Sequence, residues 1–104
     1  MTALAQPTVH DTFAALTVCF TADLAALINE EPPAGITATG FIDLVERAMH
    51  VLDSANVGYL QRAGEELDRA IGHLTDALTI TGGDQRDRLA RARTHLRHAI
   101  ETSR

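Results

Sequence analysis

The chain has 104 residues, enough for one domain (1–104), with 45% apolar residues, 4% aromatic residues and a net charge of −5. An acidic surface repels phosphate, which argues against nucleic acid as a partner of the whole domain. No segment alternates apolar and polar residues as a half-buried strand does, so the core is expected to be aliphatic and helical.

Residues 1–7 read as a short mobile tail. Thr8 is placed to cap a first helix over about 8–30, with Asp11 in the first turn, where the helix dipole favours negative charge. Val9, Phe13, Leu16, Phe20, Leu24 and Leu27 recur at steps of three and four and form one apolar stripe. Cys19 falls at the border of that stripe, where a buried or half-buried filler is expected. Asp23 also lies at its edge, and a carboxylate there needs a partner or water. The segment Glu31-Pro32-Pro33-Ala34-Gly35 is expected to end the helix, because proline removes backbone donors and disfavours helix in the residue before it. The loop to about residue 38 is long enough to cross the end of a bundle.

Thr39 is the expected cap of a second helix over about 39–53. Phe41, Leu44, Val45, Ala48, Val51, Leu52 and Ala55 give it a broad apolar face, with Met49 at the edge, so contact with more than one neighbour is expected. The seam that follows, Leu60, Leu67, Ile71, Leu74 and Leu78, is rotated by about 80–100° from that face. A break within 53–57, where Asp53, Ser54 and Asn56 cluster, is therefore preferred to one continuous helix of about 40 residues. The third helix spans about 57–80, Gly82-Gly83 stops it, and Asp84 caps a fourth helix over about 84–102 with a seam of Leu89, Ala92, Leu96, Ala99 and Ile100. The short link makes the last two helices an antiparallel hairpin, and the whole an all-α four-helix bundle.

Charge is uneven along the chain. Residues 84–104 carry six arginines against three acids, whereas residues 1–52 carry one arginine against six. The nine cationic residues are all Arg, as coding in a GC-rich, bacterial genome would give. Arg86, Arg93, Arg97 and Arg104 fall within about 40° of one another on the fourth helix, beside its apolar stripe. Such a row suits a charge seam against Glu65, Glu66, Asp68 and Asp76 of the third helix, or against a second copy of the chain. A phosphate- or acid-binding strip is the functional alternative.

Catalytic and metal patterns are sparse. Glu46 and His50 are four residues apart, not the three of the Glu-x-x-His pairs in di-metal bundles. His95, His98 and Glu101 spread over about 120° of the fourth helix, which suits solvated surface better than a shared ion. No phosphate loop, Ser/His/Asp signature or paired cysteine is present, and no cofactor is expected. Arg93-x-x-x-x-His98 resembles the Arg-x4–6-His motif of HEPN-family ribonucleases, small helical bundles that form a composite site across a dimer. That resemblance would imply metal-independent RNA cleavage by Arg93 and His98. Thr94 stands where that family carries Asn, Asp or His, and the two side chains fall about 140° apart around the helix.

With one cysteine, no basic leader segment and an apolar run, Ala14 to Ile28, interrupted by Asp23, a cytoplasmic protein is expected. The leading expectation is a non-enzymatic helical interaction or regulatory module, a homodimer or subunit that presents a helix surface to a protein partner and contacts no membrane. The alternatives are a HEPN-like ribonuclease or toxin component, and a bundle that binds a small ligand between its helices.

Overall fold

Four helices form: α1 (Val9–Leu27), α2 (Ala38–Ser54), α3 (Gly58–Ala77) and α4 (Gly82–Ser103). They come from a computed structural model that describes residues 9–104, with side chains from Phe13 onward. The tail at 1–7 and the Thr8 cap lie outside the described residues, and Val9 and Asp11 lie outside the described side chains.

Asn29, rather than the proline pair, ends α1. It takes the left-handed conformation with φ 57°. The Glu30 N–H then bonds the Ala25 carbonyl at 2.9 Å and the Asn29 N–H bonds the Ala26 carbonyl at 3.2 Å. This Schellman arrangement satisfies carbonyls that the helix end would leave open. Phe13, Leu16, Phe20 and Leu24 are buried as their spacing predicts.

The cap of α2 is Thr37, two residues before the expected Thr39: its hydroxyl accepts the Gly40 N–H at 3.0 Å. The earlier start puts Ile36 and Phe41 at the two positions of a hydrophobic staple. Phe41 is fully buried and Ile36 packs against the core. Gly40 lets Ile36 and Thr37 fold over the first turn, since a Cβ there would lie 3.1–3.2 Å from both side chains. Phe41, Leu44, Val45, Ala48 and Leu52 are buried, and α2 touches both α1 and α3, as its broad face suggests. Val51 is 42% exposed and falls outside that contact.

The expected break is present at residues 55–57, where the backbone of Ala55 and Val57 is extended. The seam of α3 differs from the predicted one. Leu67 and Leu74 are fully buried, but so are Ala63, Ala70 and Ala77, while Leu78 is 43% exposed. Small alanines on α3 oppose a Leu89, Ala92, Leu96, Ala99 seam on α4, which lets the two helices approach closely, and theirs is the most extensive contact in the molecule. Helix α3 stops at Ala77, before Gly82-Gly83, and the Gln85 side-chain amide donates to the Ala77 carbonyl from the first turn of α4, which satisfies one carbonyl of the helix end. Gly82, with φ 71°, opens α4 instead of closing α3, and Asp84 sits inside the first turn instead of capping it.

Contacts run α1 to α2, α2 to α3, α3 to α4 and α4 back to α1, with none across either diagonal among the described residues. Phe13 and Thr17 of α1 share one cavity with Ala38 at the start of α2, Leu78 beyond the end of α3 and Gln85 at the start of α4. Helix α1 therefore runs in the same sense as α2 and α4, and only α3 runs against them. The connection over 28–37 travels back along the bundle rather than across its end. At its start Glu30 pairs with Arg47 at 2.6 Å, and at its finish Thr37 caps α2, about 15 Å lower on the same helix. No helix among the described residues is long and apolar enough to cross a membrane.

Candidate functional site

The surface between α1 and α4 holds a half-open groove of about 450 Å³. Its basic wall is Arg86, Arg93 and Arg97 of α4, and its apolar floor includes Ala15 and Cys19 of α1 with Ala90 of α4. The three arginines reach this face because steps of seven and four return nearly to the same side of a helix. Arg104 continues the row at the chain end but does not line the groove. None of the four has an ion pair among the described residues. The row thus lies on the α1 side of α4, turned away from α3 of its own chain, so the intramolecular form of the expected charge seam is absent.

Helix α1 contributes an outward surface that is unusual for its place in the bundle. Ala14, Ala15, Val18, Cys19, Ala22 and Ala26 are all exposed, Val18 at 84%. A helix that is apolar both toward the core and toward water has one more face than the described residues cover. Cys19 is exposed instead of the expected filler, because the groove keeps α4 from closing over that edge of α1. Asp23 is half-buried at the same edge and has no ion pair among the described residues.

On the opposite flank of α4 a polar cluster joins it to α3. Glu66 Oε2 lies 2.6 Å from His95 Nδ1, both side chains about three-quarters buried. A carboxylate only accepts, so Nδ1 carries the proton and donates. Arg69 binds the other Glu66 oxygen at 3.4 Å. The His73 ring stacks on His95 with centroids 5.6 Å apart and planes inclined by 8°. The pKa of His73 is lowered, first by burial and then by the neighbouring His95, Arg88 and Arg91, with Asp76 opposing. His95 is thus a joint between helices, which the reading of it as solvated surface missed. The signal was present in the sequence: Glu66 and His73, seven residues apart, flank the α3 seam on one side.

The other candidates do not converge. Arg93 lines the groove, whereas His98 is exposed and outside it, so the pair that resembles the ribonuclease motif is not brought together. His95 is committed to Glu66, while His98 and Glu101 are exposed. No group of three or more His, Cys, Asp or Glu among the described residues is placed to share a metal ion. The space between the four helices is filled by fully buried side chains, Leu24, Phe41, Leu67, Leu74 and Leu96 among them. The sequence matches no family model, and neither a curated protein nor a solved structure matches the chain.

Proposed function

We propose that the chain is a non-enzymatic helical interaction module that associates through its α1/α4 face, with further copies of itself as the first partner. One observation carries this reading: three arginines without an acid partner border the outward apolar side of α1. Covering that side removes apolar area from water, and acids supplied from outside complete the arginine row. Exposed charge pairs contribute only about 0.2–1 kcal/mol each, so the row sets register and partner while the apolar strip adds affinity. A domain of this size has a thin core and gains from such pairing.

Light scattering behind size-exclusion chromatography tests the reading across concentration and salt. The expected result is a mass that rises above the 11.2 kDa of the chain with concentration and falls back in high salt. A single 11.2 kDa species under all conditions would remove self-association as the function.

A further inference from the structure

The geometry points to a specific occupant for the groove: the outer ridge of α3 from a second copy, laid antiparallel to α4. This rests on the interaction reading above and adds the partner surface. Glu65, Asp68 and Asp76 are exposed on the side of α3 that faces away from the core, and none has an ion pair among the described residues. Asp76 is near His73 on the same helix but remains exposed. The chain therefore carries two charged rows of opposite sign, each unpaired, on different sides of the molecule.

Their spacing matches. Arg86 and Arg97 are 11 residues apart, and so are Glu65 and Asp76, which is about 16 Å along either helix. Placing Arg86 opposite Asp76 in an antiparallel register brings Arg97 opposite Glu65. Arg93 then lies about 1.5 Å along the axis from the Asp68 level, well within the reach of an arginine side chain. Arg69 falls near Arg93 in this register, and its guanidinium is held by Glu66 of its own helix.

Gly72 adds an observation independent of charge. It is exposed in the interior of α3, on the line between Glu65 and Asp76, and a Cβ built there meets nothing. Nothing among the described residues requires glycine at this position, where it weakens the helix. In the same register Gly72 faces Ala90, an exposed residue of the groove floor. Two small residues at the crossing let the helix backbones approach, and Ala15 and Cys19 then cover the side of the incoming helix.

The ridge points away from the core on α3, diagonal to α1, whereas the groove opens between α1 and α4, so the two surfaces face different sides of the molecule and one two-fold dimer does not close both contacts. The pairing is head-to-tail, and every added copy leaves one groove and one ridge open. Masses should therefore step beyond a dimer as concentration rises.

Two charge-reversal variants and their mixture test this. Arg93→Glu/Arg97→Glu spoils the groove, and Glu65→Arg/Asp76→Arg spoils the ridge. All four positions are exposed, so both variants are expected to keep their helices, which circular dichroism checks. Each variant alone is expected to self-associate at least about tenfold more weakly than the wild type. Mixed, the intact groove of one meets the intact ridge of the other, and 1:1 complexes of about twice 11.2 kDa form, which lengthen only by alternation of the two variants, where the reversed positions 97 and 65 face each other. Gly72→Leu is expected to raise the melting temperature yet block association.

Ridge variants and Gly72→Leu that associate like the wild type, beside groove variants that do not, would overturn the ridge as occupant and leave the interaction reading standing. Groove variants that also associate like the wild type would overturn both. A mixture that fails to form the 1:1 complex after both variants have lost self-association would also overturn the ridge–groove pairing.

Discussion

His95 Nδ1 and Glu66 Oε2, 2.6 Å apart, form the one hydrogen bond between side chains of α3 and α4 among the described residues. Both groups are mostly withdrawn from water, and His95 has no other hydrogen-bond partner among the described residues, whereas Glu66 also receives Arg69. Glu66→Ala leaves the His95 N–H without its acceptor and is expected to destabilise the fold by about 1–2 kcal/mol. Urea unfolding followed by circular dichroism measures this; a change below about 0.3 kcal/mol would show that water replaces the carboxylate at no cost.

The stacked His73 makes stability depend on pH. Its folded-state pKa lies below the ordinary 6.5, so between the two values the unfolded chain binds more protons than the folded one. Stability is therefore full above about 6.5 and declines as pH falls through the folded pKa. The melting temperature is expected to drop between about pH 7 and 5, before most carboxylates titrate. His73→Gln should flatten that slope. An unchanged slope in the variant would place the titrating group elsewhere.

Leu74 and Leu78 belong to the same apolar series in the sequence, but one is fully buried and the other 43% exposed. Leu74→Ala is expected to cost about 2–5 kcal/mol through lost burial and a residual cavity. Leu78→Ala should stay within about 1 kcal/mol. Comparable losses at both sites in denaturant titrations would contradict the rotation of the α3 seam toward its alanines.

Two glycines of α3 should answer differently to alanine. Gly72 opens onto empty space, so Gly72→Ala is expected to stabilise by about 0.5–1 kcal/mol through helix propensity. Gly64 is buried where the end of α2 passes α3, and an added Cβ runs into the Asp53 carboxylate. Gly64→Ala should therefore show no such gain, and adding Asp53→Ala should restore it. Thermal melts of the single and double variants decide this, since coupling appears only if the two positions touch.

The four helices and the break between α2 and α3 were legible because apolar side chains recur at helical spacing, and because the seam changes direction where Asp53, Ser54 and Asn56 cluster. The α3 interface was misplaced because its deciding residues are alanines. Ala63, Ala70 and Ala77 contribute little apolar signal, yet their small size allows α4 to approach. Thr37 and Thr39 are equal as caps in sequence, and the choice between them depends on where Ile36 and Phe41 pack. The arginine row was legible as a stripe, since spacing alone defines it. Which neighbour it faces depends on the direction of α1, and that is set by tertiary packing.

The return path of residues 28–37 bears on how the molecule assembles. Helices α2, α3 and α4 follow one another through connections of a few residues, so their contacts close short loops and can form early. Helix α1 packs against α2 across residues 28–37 but must bring its residues against α4 across most of the chain length, so completion of its docking is expected to be the late step. Its amide protons should then exchange with solvent before those of α3 and α4. The element that carries the exposed apolar strip is thus expected to be the one the bundle holds least firmly, and a protein seated on that strip would slow its opening.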